Sequence, residues 1–194
     1  MNHDFHIEGN LYGLRPVCKD DASFIVALRT DTELNRYLHS TSSSIRNQLQ
    51  WLENYFKRDN DFYFVVEELT HKIPQGLISL YDVDNDTRSG EWGRWLLLQN
   101  SLAAIESALL IYRFGFEALK LDEIYCRTVS ENGSVVSFHD SCGIPRRSVL
   151  PGHFVFDDVH KDAIEHRLSR SEWPVVEDKL QKLARRMAKR ARYA

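Results

Sequence analysis

The sequence predicts an α/β (α+β) fold in which helices flank a mixed, mostly antiparallel sheet. The first observation behind this prediction is a β-rich run, residues 76–83, which the turn-forming residues 82–89 join to an apolar run, residues 92–98. Two strands joined by such a turn form an antiparallel hairpin. The second observation is that residues 92–98 continue through a polar turn, residues 99–101, into a long amphipathic helix and then into a strand at residues 122–129. A strand–helix–strand unit of this kind places its strands in parallel.

The elements before the hairpin follow from capping residues and apolar spacing. Residues 11–17 and 62–68 are β-rich runs and are predicted as strands. Asp20 or Asp21 is placed to cap a helix that runs to about Arg29. A second helix is predicted after the serines at 42–44, because apolar residues recur there at helical spacing: Ile45, Leu49, Leu52 and Phe56.

The later elements show the same signals. The helix after the polar turn carries a buried face at steps of three and four residues: Ile105, Leu109, Tyr112, Phe116 and Leu119. Asn132 or Ser134 opens a short helix that ends at Gly143, a residue suited to a left-handed C-terminal cap. Two β-like stretches follow at residues 147–156 and 163–170.

We predict one domain at residues 1–172 and a C-terminal basic amphipathic helix, not a separate domain, at residues 173–194. An apolar stripe lies at Val176, Leu180, Leu183 and Met187, and the basic residues are Lys179, Lys182, Arg185, Arg186, Lys189, Arg190 and Arg192. This pattern favours a helix packed on its own domain or on a second subunit. A surface for an acidic partner, an anionic lipid or nucleic acid is the alternative.

Composition limits the class of protein. The chain has 194 residues, 43% hydrophobic and 27% charged, as soluble globular domains do. No apolar run approaches the ~20 residues of a membrane span, and the polar N-terminus is unlike a signal peptide. The 3 cysteines are an odd number without a CxxC pair, which favours a reducing, cytoplasmic location. A net charge of -3 makes a nucleic-acid partner unexpected.

The junction between residues 92–98 and the following helix is the strongest functional signal. A strand that passes through a tight turn into a helix points several free backbone N–H groups at one place. Such a place binds anions, above all phosphates. The sequence therefore predicts a pyrophosphate site at the turn, residues 99–101.

Four segments of the chain resemble the GNAT superfamily of acyl-CoA N-acyltransferases. They are the strand EWGRWLL, the turn at residues 99–104, the phrase GFEALKL in the helix–strand segment, and ENGSVVSFHDSCGI. The family's turn reads Q/R-x-x-G-x-G/A, and here Leu102 stands where its first glycine is usual, while Asn100 stands where another is common. The resemblance covers residues 11–170 and implies a central sheet of six to seven strands.

A finer resemblance lies upstream, to the nucleotide-linked amino-sugar N-acetyltransferases of the pseudaminic-acid pathway, in a branch that also holds ribosomal-protein acetyltransferases. The matching positions are Arg29, Ser40, Thr41, Gln50, Trp51, Leu52 and Glu53. The serine-threonine run at residues 40–44 has hydroxyls suited to sugar or phosphate groups, and equally to helix capping.

The family resemblance implies acetyl-CoA as co-substrate and attack of an amine on its thioester. It places the cofactor on Leu96, Leu97, Leu98, Gln99, Asn100, Ser101, Leu102, Ala103, Ala104 and Asn132. A backbone N–H of Leu96, Leu97 or Leu98 would hold the oxyanion if this strand splays from the next one. His139 stands where many members have a tyrosine acid, and an imidazolium is a competent acid near neutral pH. Glu91 or His39 is the candidate base, and bulk water is the alternative.

The resemblance implies an N-acetyltransferase that acts on the primary amine of a small molecule. The leading expectation for this acceptor is a nucleotide-linked amino sugar in surface-polysaccharide biosynthesis. The alternatives are a protein N-terminus, a polyamine, or a non-catalytic acyl-CoA-binding module. A polyamine would need an acidic pocket, and residues 82–87 hold the dense acidic patch of the sequence. His153, His160 and His166 share no metal-ligand spacing, so no metal is expected. A homodimer is compatible with the sequence.

Overall fold

A computed structural model describes residues 2–191 and places eight strands in one sheet of order β1-β2-β3-β4-β5-β6-β8-β7. The strands are β1 Ile7–Glu8, β2 Tyr12–Pro16, β3 Phe62–Glu68, β4 Ile73–Asp84, β5 Ser89–Leu97, β6 Glu123–Val129, β7 Arg146–Phe156 and β8 Val159–Ser169. The α-helices are α1 Ala22–Thr30, α2 Ile45–Tyr55, α3 Ala104–Arg113, α4 Gly133–Cys142 and α5 Trp173–Ala191. Every neighbouring pair is antiparallel except β5 and β6, which are parallel.

This architecture confirms the predicted mixed, mostly antiparallel sheet flanked by helices. The predicted strand number was too low, since the described sheet has eight strands. The missed strand is β1, two residues that pair with Leu14 and Gly13 of β2. A strand of that length in a polar segment has no periodicity from which to predict it.

The sheet is covered on both faces, and β3 shows why. Phe64 and Val66 point into a core that includes residues of α3 and α5, whereas Tyr63 and Val65 point into a second core with α1 and α2. Alternate residues of a strand face opposite sides of the sheet. A strand covered on both sides therefore reads as a continuous apolar run, as β3 does.

The strands β5 and β6 diverge, and this divergence positions the functional site. Within residues 2–191 their pairing is confined to Ser89↔Glu123, Gly90↔Ile124 and Glu91↔Tyr125, although β5 continues to Leu97 and β6 to Val129. On its other edge β5 stays paired with β4 as far as Leu97. A wedge-shaped gap therefore opens in the sheet beyond Glu91. The oxyanion donor expected from the sequence required these two strands to splay apart, and they do so here.

Helix ends agree with the prediction in part. The Ser44 hydroxyl caps α2 by accepting from the Asn47 amide at 3.3 Å, and Gly143 ends α4 in the left-handed region at φ 82°. Asp21 occupies the predicted N-cap position of α1, but its side chain makes no capping bond there. Its carboxylate instead pairs with Arg15 at 2.8 Å and accepts from the Cys18 amide. A 3-10 turn, Lys19–Asp21, leads into α1.

The basic helix α5 packs on its own domain. Trp173, Val176, Leu180 and Ala184 join the core that α3 also lines. Its basic side chains up to Arg190 are exposed on the outer face. This agrees with the interpretation of the segment as a helix packed on its own domain. Arg192 and the end of the predicted segment 173–194 lie outside the described residues.

Candidate functional site

A cavity of about 930 Å³ occupies the gap between β5 and β6. Its walls come from β5 residues Trp92 to Leu97 and β6 residues Cys126 to Val129. The α1–α2 loop, α2 and the start of α4 close the sides, and Phe154 and Phe156 of β7 complete the rim. Because the gap opens where sheet pairing ends, backbone groups of β5 are free to meet a ligand there.

The backbone amides of Leu96, Leu97 and Leu98 are not equivalent. The Leu98 N–H donates to the Gln75 carbonyl at 2.8 Å, so it is committed to the sheet. Leu96 is paired with Leu77, and Leu97 with Gly76. Hydrogen-bonded and non-hydrogen-bonded pairs alternate in an antiparallel ladder. The Leu97 N–H therefore points away from β4 and towards the gap, and Leu98 is ruled out as the oxyanion donor.

The turn after β5 has the shape that the sequence predicted, without the expected glycines. Asn100 adopts φ 65°, a left-handed conformation that asparagine tolerates better than most residues. The Leu102 side chain is 48% exposed and points outward instead of filling the turn. Ser101 secures the turn through its hydroxyl, which donates to Gln75 Oε1 at 3.1 Å. The departures from the family's glycine pattern are thus accommodated locally.

Three of the ten predicted cofactor residues line the cavity, and the other seven do not. Leu96, Leu97 and Asn132 line the cavity, and residues 98–104 follow directly after the last of the β5 residues that line it. Asn132 precedes α4, where its Oδ1 accepts from the Ser134 hydroxyl at 3.1 Å, so its side-chain NH₂ stays available for a ligand.

Glu91 lies at the apex of the gap. It is the last β5 residue paired with β6, its side chain is buried, and it lines the cavity. Its carboxylate accepts from the Tyr81 hydroxyl at 3.0 Å and from Arg127 Nη1 at 2.9 Å. Burial raises the pKa of Glu91, and the Arg127 guanidinium opposes that rise. A buried carboxylate with a raised pKa, held on both oxygens, has the properties of a general base.

His139 also lines the cavity, in surroundings that disfavour the expected imidazolium. The ring packs against Trp92 at 5.1 Å between centroids and near Cys126 Sγ at 3.7 Å. Burial lowers the pKa of His139 to about 3, and His166 adds to the lowering. This lowering of the pKa favours the neutral imidazole and argues against the predicted acid role, which stays a prediction.

His39, the other candidate base, lies at the cavity rim. It is exposed in the α1–α2 loop and stacks on Phe156 of β7 at 4.7 Å between ring centroids. This contact joins the loop to the β7 strand across the mouth of the cavity. Glu91 and His39 therefore stand at the inner end and the outer rim of the same cavity.

The charged side chains of the lining are mostly arginines. They are Arg29, Arg58, Arg94 and Arg127, against Glu33 and Glu91. Arg94 is paired with Asp61 at 2.6 Å, and Arg127 with both Glu91 and Glu165 at 2.9 Å. The acidic patch at residues 82–87 lies instead outside the cavity lining, at the end of β4 and in the exposed turn before β5.

Sequence reasoning missed Tyr81 and Arg127, the two residues that hold Glu91. Arg127 is a charged residue inside β6, between Cys126 and Thr128, which is a usable signal. Its partner is 36 residues away, and only the parallel register of β5 and β6 brings the two together. Tyr81 had no distinguishing signal, since aromatic residues are common in strands.

The comparison with protein families agrees with this geometry. Residues 12–144 match the family model of the acetyltransferase (GNAT) domain. None of the curated proteins matches this chain. The family match spans more than half of the chain, so the protein belongs to the GNAT acetyltransferase family. It is an acetyl-CoA-dependent N-acetyltransferase.

Three solved structures show how far the likeness extends. FdhC in its apo form, a nucleotide-linked sugar GNAT, is 29% identical with TM-score 0.75, covering 94% of this chain and 98% of its own. A GCN5-related N-acetyltransferase from Brucella melitensis is 19% identical with TM-score 0.80, covering 94% and 86%. A mutant of the spermidine N-acetyltransferase SpeG from Vibrio cholerae is 21% identical with TM-score 0.74, covering 85% and 97%. The last two show the fold alone.

No helix among residues 2–191 combines the length and the apolar character that crossing a membrane requires.

Proposed function

We propose that this enzyme acetylates the primary amine of a nucleotide-linked amino sugar. The observation that carries the proposal is Arg29, a lining arginine whose hydrogen bonds, within the described residues, all go to neutral oxygens. The other three lining arginines are neutralised, Arg58 and Arg94 by Asp61, and Arg127 by Glu91 and Glu165. An acceptor with phosphates is attracted to the Arg29 guanidinium, whereas a polycation such as spermidine is repelled. The acids that would suit a polyamine lie outside the cavity lining, at the end of β4 and in the exposed turn before β5.

The FdhC likeness supports the same acceptor class. At 29% identity over 94% of this chain, that nucleotide-linked sugar GNAT is closer in sequence than the spermidine enzyme at 21% over 85%. The hydroxyl run also favours a sugar or phosphate ligand: Ser44 is used as a helix cap, but Ser40, Thr41 and Ser42 line the cavity.

Two groups of the cavity are proposed to act in the transfer. Acetyl-CoA, when bound, supplies the thioester whose carbonyl carbon the amine attacks. We assign to the Leu97 N–H the hydrogen bond to the oxygen that becomes negative, since it faces the gap. We assign to Glu91 the amine's proton, taken directly or through one water. When the tetrahedral intermediate collapses, its C–S bond breaks and CoA leaves as a thiolate that takes a proton from solvent. Residues 98–104 and the Asn132 amide group are the proposed contacts for the pyrophosphate and pantetheine of CoA. The amides of Leu98, Ser101 and Ala103 are bonded within the protein, so the other amides of this segment are the proposed donors.

Four further expectations remain proposals. Three free thiols, Cys18, Cys126 and Cys142, fit a cytoplasmic protein. Residues 1–172 are proposed as the catalytic domain and α5 as a helix attached to it. A homodimer and a mechanism without a metal ion are also still predictions.

The test is CoA release measured against amino-sugar nucleotides, polyamines and N-terminal peptides. Turnover on UDP- or dTDP-linked amino sugars, with none on spermidine or peptides, would support the proposal. Turnover on spermidine or on peptides alone would overturn it. Acetyl-CoA at 100 times its Kd should stabilise the fold by about 2.7 kcal/mol, which checks that the protein is competent before the panel is read.

A further inference from the structure

Among residues 2–191, Arg29 is the lining arginine that pairs with no carboxylate, whereas Arg58, Arg94 and Arg127 each have one. It lies in the last turn of α1 and faces the cavity. Its Nε and Nη2 donate to Thr41 Oγ1 at 3.0 and 2.8 Å, and Nη2 also donates to the His39 carbonyl at 3.2 Å. Within the described residues these neutral oxygens take all its hydrogen bonds, so the donors on Nη1 remain for a ligand.

The other lining arginines differ in this respect. Carboxylates raise the pKa of both Arg94 and Arg127 against the effect of burial, through Asp61 for Arg94 and through Glu91 and Glu165 for Arg127. Burial lowers the pKa of Arg29, because the hydrogen-bonding oxygens around it are uncharged. An arginine held in place by the fold but not neutralised by it is positioned to receive an anion.

Hydroxyl groups surround this guanidinium on the same wall. Thr41 Oγ1 accepts both Arg29 bonds, so its own proton is directed elsewhere. Ser42 Oγ accepts from Asn47 Nδ2 at 2.9 Å and from the Ser44 amide at 3.2 Å, which likewise leaves its O–H free to donate. Ser40 lines the cavity beside them. Of the two carboxylates of this loop, Glu33 is exposed at the rim and Asp31 is exposed outside the lining. Guanidinium and hydroxyl donors together are suited to phosphate oxygens.

We infer that Arg29, with the hydroxyls of Ser40, Thr41 and Ser42, forms the subsite for a phosphate of the acceptor. The inference rests on the proposed function, which supplies an acceptor with phosphates. The amine end of that acceptor reaches Glu91 at the apex of the gap, while its phosphate end binds at the α1–α2 loop. Arg29 is thus a specificity residue for phosphorylated over neutral amines.

The first experiment compares Arg29→Met with wild type on two acceptors, an amino-sugar nucleotide and the same amino sugar without phosphates. The KM for the nucleotide should rise roughly 10- to 100-fold, as expected for loss of a charge-assisted hydrogen bond. The KM for acetyl-CoA and the activity on the free amino sugar should stay unchanged. Arg46→Met is the control, because Arg46 is exposed on α2 outside the cavity lining.

A purely structural role gives a different result. If Arg29 only held the loop at residues 39–41, Arg29→Met would impair both acceptors equally, and this would overturn the subsite. Arg29→Lys, which keeps the charge, should recover part of the preference for the nucleotide. An unchanged KM for the nucleotide in Arg29→Met would also overturn it.

Binding of UDP separates this inference from the proposed function. Isothermal titration with saturating CoA present, so that the CoA phosphate site is filled, should show one UDP per chain in wild type. That binding should weaken at least 10-fold in Arg29→Met and persist in Arg46→Met. Absence of UDP binding to wild type would overturn the subsite. UDP binding without acetylation of any amino-sugar nucleotide would overturn the proposed acceptor but keep the phosphate site.

Discussion

Glu91 and Tyr125 are the last residues that pair β5 with β6, and the two strands part immediately beyond them. The buried Glu91 carboxylate therefore lies at the apex of the gap that forms the cavity. Further along the same strand, the Leu97 amide faces the gap because β4 uses the amides on either side of it. One interruption of sheet pairing thus supplies a proton acceptor, an oxyanion donor and space for the reactants.

Replacing Glu91 by Gln should lower kcat by about 10²- to 10⁴-fold, as loss of a general base does. The base must be ionised to act, so wild-type kcat/KM should rise with pH through the raised pKa of Glu91. That acid limb should disappear in Glu91→Gln. Steady-state rates across the pH range check both points. The control is Glu33→Gln, at an exposed carboxylate of the lining, which should behave as wild type. An unaltered pH profile in Glu91→Gln would exclude Glu91 as the base.

Replacing Leu97 by Pro removes one backbone N–H and should lower kcat about 10²- to 10³-fold. The ladder to β4 should survive, because Leu97 occupies a non-hydrogen-bonded position opposite Gly76. Leu97→Ala retains the amide and serves as the matched control. Rates and melting curves are measured together, and a folded Leu97→Pro enzyme with wild-type kcat would rule out this donor.

His139 should make the fold sensitive to acid. Its pKa falls from 6.5 to about 3 in the folded protein, so the unfolded chain takes up this proton first as pH falls below 6.5. The free energy of unfolding should therefore decrease from pH 7 to pH 5, by about 2 kcal/mol on account of this group. Urea unfolding of His139→Phe should show a correspondingly smaller decrease. The control is His71→Gln, at a 72% exposed side chain, whose free energy of unfolding should depend on pH as in wild type. An identical pH dependence in all three proteins would contradict the lowered pKa of His139.

Substitutions of Asn100 test whether the turn after β5 is left-handed at this residue. Because it adopts φ 65°, Asn100→Ala should lower the free energy of unfolding by about 1 kcal/mol. Asn100→Gly should remain close to wild type, since glycine adopts this conformation without strain. Denaturant unfolding of the two variants gives the comparison, and equal stability of Asn100→Ala and Asn100→Gly would mean that the turn is not left-handed at this residue.

Local signals in the sequence predicted most of the fold. The Ser44 cap, the left-handed Gly143 and the apolar runs of β3 to β6 each depend on residues close together in the chain, and the structure confirms them. The family resemblance identified the reaction class, which the family match bears out. The short strand β1 and the 3-10 turn before α1 lacked such signals.

The site was harder to predict, because its chemistry depends on contacts between distant segments. The family resemblance pointed to His139, which lies in the cavity wall. Its charge, however, depends on burial against Trp92 and His166, which sequence spacing does not reveal. Glu91 was predicted as a candidate base, but its burial with Arg127 and Tyr81 depends on packing between β4 and β6, which sequence spacing does not reveal. Which of three leucine amides is free depends on the register with β4.

The most direct test of the whole account is a crystal structure with a stable ketone analogue of acetyl-CoA. In this analogue a methylene group replaces the sulfur atom of the thioester. The account predicts that the ketone oxygen lies in the gap between β5 and β6, about 2.7–3.1 Å from the Leu97 nitrogen. A ketone oxygen outside this gap, or one bound by a donor other than Leu97, would contradict it.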